Sequence, residues 1–107
     1  MDYEITPDEL KALLESSSDI VVLDVREPWE IATVSMGHTK HIAMNDIPAR
    51  HAAELDASRH TVIVCHHGVR SMRVTMWLRQ QGYEKVQSLA GGFDAWARQV
   101  DPKVGLY

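Results

Sequence analysis

The 107-residue sequence contains almost no cysteine and has no excess of positive charge. Cys65 is its only cysteine, so an internal disulfide is excluded and a reducing compartment, most simply the cytoplasm, is expected. The formal net charge of −4 argues against general nucleic-acid binding, which needs a basic face. We therefore expect a small molecule or another protein as the partner.

Long apolar runs and low-complexity stretches are also missing. No run approaches the length of a membrane span, so we expect no membrane contact. Residues 1–4 lack the basic and apolar regions of a signal peptide. The length suits one compact domain over residues 1–107, with enough chain to bury a core.

What the sequence does contain is a regular alternation of apolar runs and helical segments. Residues 20–23 and 61–64 are unbroken runs rich in β-branched residues, typical of strands buried on both faces of a parallel sheet. Shorter strands are predicted at Ile5 and over residues 41–43 and 84–88. With helices between the strands, this alternation predicts an α/β fold whose mainly parallel sheet is covered on both sides.

The helical segments carry start and stop signals. Thr6 is predicted to cap a first helix that ends at residues 16–18, and Pro28 to begin a short helix. A long helix is predicted over residues 71–81, ended by Gly82. The side chains expected to face the core from the helices are Leu10, Leu13, Leu14, Trp29, Ile31, Ile47, Leu55, Val74, Met76, Trp77, Leu78, Phe93, Trp96, Ala97 and Val100.

Three weaker patterns give further expectations. Asn45 or Asp46 is expected to cap the helix that contains Ile47. His51 lies on the apolar side of that helix, and we interpret it as a partly buried histidine rather than a ligand. The tail over residues 101–107 is expected to pack loosely as an extended strap.

The cysteine stands where the apolar run of residues 61–64 gives way to a short loop and a helix. The loop reads Cys65-His-His-Gly-Val-Arg-Ser71. Backbone N–H groups that point inward at a helix N-terminus favour a thiolate or a persulfide anion at this position. Gly68 supplies a backbone angle that other residues resist, and the guanidinium of Arg70 suits a sulfonate, phosphate or carboxylate. The pattern therefore predicts a nucleophilic cysteine.

Two pairs of polar residues surround the predicted nucleophile. Asp24 and Arg26 follow the other long apolar run. We interpret them as a hydrogen-bonded pair that braces the cysteine loop, with direct substrate contact as the alternative. His66 and His67 are interpreted as groups that flank the pocket, tune its charge near neutral pH or shape the docking of an acceptor. Because adjacent residues in a tight loop converge poorly on one ion, no metal is predicted, and no cofactor either.

These motifs resemble the rhodanese family, in particular its single-domain sulfurtransferases and the rhodanese-like modules attached to sulfur-carrier activating enzymes. The resemblance includes the cysteine loop and continues in family order over residues 6–10, 22–30, 41–42, 47–50, 89–92, 94–96 and 100–102. It implies a three-layer α/β/α fold with five parallel strands. It also implies that Cys65 becomes a persulfide.

The resemblance further implies transfer of a sulfane sulfur from a donor such as thiosulfate to cyanide, a small thiol or a protein. Substrate binding is expected from His66, His67, Gly68, Val69, Arg70 and Ser71. Related phosphatases and arsenate reductases have an active loop longer by one residue, so the four residues between Cys65 and Arg70 favour sulfur over phosphorus. A sulfur carrier or binding module that serves a protein partner is the alternative, and a phosphatase or arsenate reductase is third.

Overall fold

The strand that leads into the cysteine lies at the centre of the sheet. The computed structural model describes residues 1–17 and 19–107, and in it β4 spans Thr61–Val64 with all four residues buried. The other strands are β1 at Glu4–Ile5, β2 at Val21–Asp24, β3 at Lys40–His41 and β5 at Val86–Leu89. Their order is β1-β5-β4-β2-β3, and every neighbouring pair is parallel.

Five α-helices alternate with these strands: α1 at Pro7–Ser16, α2 at Pro28–Thr33, α3 at Ile47–Glu54, α4 at Val69–Gln80 and α5 at Gly92–Gln99. Successive side chains of the central strand point to opposite faces of the sheet and so lie in different core clusters. Ile63 packs in a cluster with residues of α3 and α4, whereas Val62 packs in a second cluster with residues of α1 and α5. The predicted α/β fold with a five-stranded parallel sheet is confirmed.

One change from the predicted boundaries concerns the cysteine loop. α4 begins at Val69, two residues before the predicted start at Ser71. The chain can turn directly into the helix because Gly68 has a φ of +100°, a conformation that a side chain resists. The predicted end of α1 includes Ser18, which lies outside the described residues.

Three side chains are exposed that were predicted to face the core or, for Trp29, the core or a pocket wall. Leu14 is 37% exposed, Met76 50% and Trp29 65%. Met76 follows Val74 by about 200° around the helix, so the face that buries Val74 leaves it in solvent. In α2 the buried side chain is that of Glu30 rather than Trp29, for a reason that lies in the active site.

Two expectations around α3 have different outcomes. His51 is partly buried, as predicted, and its Nδ1 lies 2.8 Å from the hydroxyl of Tyr83. The predicted side-chain cap is wrong, because Asp46 occupies the cap position without a capping hydrogen bond and ends a 3-10 turn over Met44–Asp46. Among the helices of residues 1–17 and 19–107, none has the length and apolar character needed to cross a membrane.

Candidate active site

The sulfur of Cys65 accepts hydrogen bonds from the backbone at the start of α4. The residue follows β4 directly and is 1% exposed. Its Sγ lies 3.1 Å from the N–H nitrogen of Gly68 and 3.3 Å from that of Ser71. The predicted inward-facing N–H groups are therefore present, and they surround the sulfur at the positive end of the helix dipole.

A pair of buried hydroxyl groups extends this environment. Ser71 Oγ lies 3.4 Å from Cys65 Sγ and 2.7 Å from Ser88 Oγ, and both serines are fully buried. When Ser88 donates to Ser71, the Ser71 hydroxyl is free to donate to the sulfur. Ser88 belongs to β5, and no role was predicted for it, although a polar residue inside a buried strand is a signal for such a partner.

The opposite side of the loop is bound to the N-terminus of α5. The N–H of Phe93 donates to the carbonyl of Cys65 at 2.7 Å, and the N–H of Asp94 donates to that of His66 at 3.0 Å. Gly92 makes this approach possible, since a Cβ there would lie 2.5 Å from the Cys65 carbonyl oxygen. With these carbonyl groups bound to α5, the loop presents N–H groups to the sulfur.

Arg70 forms a bidentate ion pair with a carboxylate that the sequence pattern did not single out. Its Nη1 and Nη2 lie 2.6 and 2.9 Å from Oε1 and Oε2 of Glu30. Glu30 is 3% exposed, and its hydrogen bonds with Arg70 lower its pKa to about 2. The same bond raises the pKa of Arg70, so both groups stay charged across the physiological range. This pairing explains why α2 buries Glu30 and leaves Trp29 in solvent.

The end of the tail is attached to the same site, which corrects the prediction of a loosely packed strap. After a 3-10 turn over Pro102–Val104, the Tyr107 ring stacks on His66 with 3.9 Å between centroids. Its hydroxyl donates to Glu30 Oε2 at 2.7 Å. Burial raises the pKa of Tyr107 to about 12, so the hydroxyl keeps its proton at neutral pH.

His66 lies between two aromatic rings. His67 stacks on the face opposite Tyr107 with a centroid distance of 3.9 Å and an angle of 23° between planes. Burial, together with the charge of His67, lowers the pKa of His66. Its Nε2 is buried and has no hydrogen-bond partner among the described residues, which also favours the neutral imidazole.

Potential metal ligands do meet beside this stack. One ligand atom each from His66, His67 and Asp94 lies within 4.8 Å of the others. A metal binds in the plane of an imidazole ring, and two nearly parallel stacked rings do not direct their lone pairs at one point. One of the rings would have to rotate before these residues could share an ion.

Asp24 and Arg26 form a fully buried ion pair beside the loop. The guanidinium binds both carboxylate oxygens of Asp24, at 2.8 to 3.1 Å, and Nη2 also donates to the carbonyl of Val34 at 2.8 Å. Burial acts against its charge, but Asp24 and Tyr107 together outweigh this effect, so the pKa of Arg26 is raised. The guanidinium lies 4.2 Å from the centre of the Phe93 ring. Phe93 in turn donates its N–H to Cys65, so this pair is linked to the loop.

The structure thus brings Gly68, Arg70, Ser71 and the two histidines together around Cys65. Val69 is the exception, since its side chain is 65% exposed on the first turn of α4. Sequence reasoning missed Glu30, Ser88 and Tyr107. For Tyr107 no local spacing signal exists, because the contact depends on the path of the whole tail.

The comparisons with known proteins agree with this geometry. The family model described as "Rhodanese-like domain" matches residues 6–99. The putative sulfurtransferase YtwF of Bacillus subtilis is 36% identical over 100 residues, covering 94% of this chain and 95% of that protein. The thiosulfate sulfurtransferase GlpE of Pseudomonas fluorescens is 38% identical over 93 residues, covering 86% of this chain and 82% of that protein.

A solved structure adds the same result for the fold. The crystal structure of a rhodanese-like domain protein from Staphylococcus aureus superposes with a TM-score of 0.84 and 31% identity, covering 99% of both chains. The matched segment contains the cysteine loop, Glu30 and both strands that flank β4. The chain belongs to the rhodanese family.

Proposed function

We propose that this protein is a sulfurtransferase, one rhodanese-like domain that carries sulfur as a persulfide on Cys65. The observation that supports this most is the pair of backbone N–H groups that donate to Sγ, with the hydroxyl of Ser71 3.4 Å away and able to donate once the thiol has lost its proton. These donors stabilise a thiolate before the transfer and a persulfide anion after it. Relatives that match nearly the whole chain are named sulfurtransferases.

The proposed donor is a sulfane-sulfur compound such as thiosulfate. The Cys65 thiolate attacks the outer sulfur, the S–S bond of thiosulfate breaks, and sulfite leaves with the electron pair. The enzyme then holds Cys65–S–S⁻. In the second half-reaction cyanide or a thiolate attacks the outer sulfur of the persulfide, and Cys65 leaves as a thiolate. No proton transfer or external oxidant is needed in either step.

Burial of the cysteine favours a donor with a small terminal sulfur. Cys65 is only 1% exposed, and such limited access favours a slender donor over a bulky ester. We assign the sulfonate end of the donor to Arg70. Glu30 occupies only the Nη1/Nη2 end of the guanidinium, so Nε–H and an outer N–H remain along a second edge that matches a sulfonate.

The remaining predicted residues fit supporting roles. We propose that His66 and His67 form the wall of the site that the acceptor meets, and that Val69 lies at its rim. Asp24 and Arg26 are proposed to brace the loop, since both are fully buried and Arg26 packs on Phe93. A reducing compartment, in which Cys65 stays unoxidised between turnovers, is the proposed location.

The release of sulfite tests this function. The protein is mixed with excess thiosulfate without an acceptor, and sulfite is measured with time. We expect one sulfite per chain from the wild type and none from Cys65→Ser; cyanide should then convert the single turnover into continuous thiocyanate formation. Release of sulfite from Cys65→Ser at the wild-type level, or none from the wild type, would contradict the proposal.

A protein acceptor is a second candidate, and a surface observation favours it. Two large apolar side chains are exposed beside the Arg70–Glu30 pair, Trp29 and Val69, each 65% exposed. Exposed aromatic and aliphatic residues of this kind are frequent anchors in protein interfaces. Efficient turnover with small thiols, unchanged by Trp29→Ala, would argue for the small-molecule acceptor instead.

A further inference from the structure

Tyr107 joins the tail to both halves of the active site, although it lies outside residues 6–99 that the family model matches. Its hydroxyl donates to Glu30 Oε2, the oxygen that also accepts Nη2 of Arg70. Its ring stacks on His66, the residue that follows the nucleophile, with 12° between the planes. One side chain therefore contacts the partner of the anion-binding arginine and the neighbour of the cysteine.

We propose that Tyr107 is a positioning residue for the capture of anionic sulfur donors, acting on Arg70 through Glu30. This inference rests on the proposed function, in which Arg70 holds the donor's sulfonate. Tyr107 itself is not assigned any contact with the donor. Its hydroxyl holds the Glu30 carboxylate in place, and that carboxylate in turn orients the Arg70 guanidinium.

The hydrogen bonds of Glu30 show why one hydroxyl matters. Oε1 accepts Arg70 Nη1 and the backbone N–H of Glu27 at 3.0 Å, and Oε2 accepts Arg70 Nη2 and the Tyr107 hydroxyl. Both oxygens are thus held from two directions. Without the hydroxyl, Oε2 keeps only Arg70, and the carboxylate can rotate about the axis through Oε1.

Rotation of the carboxylate would move the free edge of the guanidinium. Arg70 has no other acceptor among the described residues, so Glu30 alone sets its orientation. A bidentate ligand loses affinity when its two N–H groups no longer lie in the plane of the anion. The consequence is selective, because a neutral reagent that does not use Arg70 should reach Cys65 as before.

The experiment compares Tyr107→Phe with wild type in two measurements. The first is the thiosulfate concentration that gives half-maximal persulfide formation. The second is the ratio of the Cys65 alkylation rates by iodoacetate and iodoacetamide, which differ in charge but little in size. For Tyr107→Phe we expect the half-saturating thiosulfate to rise about 3- to 10-fold with a maximal rate within about 2-fold, and the ratio to fall by a similar factor.

Tyr83→Phe is the matched control. It also removes one tyrosine hydroxyl, which lies 2.8 Å from Nδ1 of His51 and donates to the backbone carbonyl of His51 in α3 rather than to the Glu30 carboxylate. We expect it to lower thermal stability without changing either measurement. The inference is overturned if Tyr107→Phe leaves the alkylation ratio and the half-saturating thiosulfate at wild-type values, or if Tyr83→Phe changes them equally. Failure of the proposed function would show differently, as absence of persulfide in the wild type, while the alkylation ratio would still test Arg70 and Tyr107.

Discussion

Replacement of Glu30 by glutamine tests how much the Glu30–Arg70 ion pair stabilises the fold. The substitution keeps the size of the side chain and removes its charge. Glu30 is 3% exposed and holds Arg70 through two hydrogen bonds. In Glu30→Gln the Arg70 guanidinium loses its counter-ion, and the amide NH₂ of the new residue faces another N–H donor.

The pKa of Glu30 sets the size of the expected loss in the free energy of unfolding. It falls from 4.5 to about 2 in the folded protein, and a shift of this size corresponds to about 3 kcal/mol at pH 7. We expect the Glu30–Arg70 pair to stabilise the fold by only about 2 kcal/mol, because the Arg70 side chain is 30% exposed and solvent screens the pair. Since the folded-state pKa is depressed, this stabilisation is present above pH 4.5 and is lost as the pH falls toward 2.

Urea denaturation of both proteins at pH 7 and pH 3 is the assay. Glu30→Gln should be less stable than wild type by about 2 kcal/mol at pH 7, and more than half of this difference should disappear at pH 3. Glu15→Gln is the control, since Glu15 is an exposed carboxylate paired with Lys11 across one turn of α1. If Glu30→Gln lowers the free energy of unfolding by the same amount at both pH values, the charge of Glu30 is not the source of the stabilisation.

Two further substitutions test how the loop is held. Gly92→Ala should destabilise the protein by about 2–4 kcal/mol in urea denaturation and slow Cys65 alkylation, because the new Cβ would meet the Cys65 carbonyl. Gly37 also has a positive φ but has nothing within 4 Å of the position that a Cβ would take, so Gly37→Ala should cost only about 1 kcal/mol. Equal losses for the two variants would contradict this explanation. Asp24→Asn leaves the fully buried Arg26 without a counter-ion and should cost about 3–5 kcal/mol, and a loss below about 1 kcal/mol would show that the pair does not brace the structure.

The sheet could be predicted from the sequence because a central parallel strand must be apolar on both faces. The runs that contain Val62 and Leu23 favour strands buried on both faces, and their alternation with helices predicts a parallel sheet covered on both sides. The order of the strands in the sheet was not predicted. The surroundings of Cys65 could be predicted for a related reason. A lone cysteine after such a strand, followed by Gly68 and a helix, lies where backbone N–H groups at the helix start can reach its sulfur, as those of Gly68 and Ser71 do.

The rest of the site depends on contacts between distant parts of the chain. Trp29 looks like a core residue and Glu30 a surface residue, yet their burial is reversed because Arg70, forty residues later, requires a carboxylate. Tyr107 likewise reaches His66 only through the path of the tail. Periodicity reports which face of an element is apolar, but it does not report an ion pair that turns a charged side chain inward.

The intact mass of the protein, measured after incubation with thiosulfate and removal of the excess, shows directly whether Cys65 carries sulfur. We expect the wild type to gain one sulfur atom per chain at Cys65, and a reducing thiol or cyanide to remove it. The same treatment should leave Cys65→Ser unchanged. An unmodified wild-type mass, or an adduct that persists in Cys65→Ser, would rule out a persulfide on Cys65.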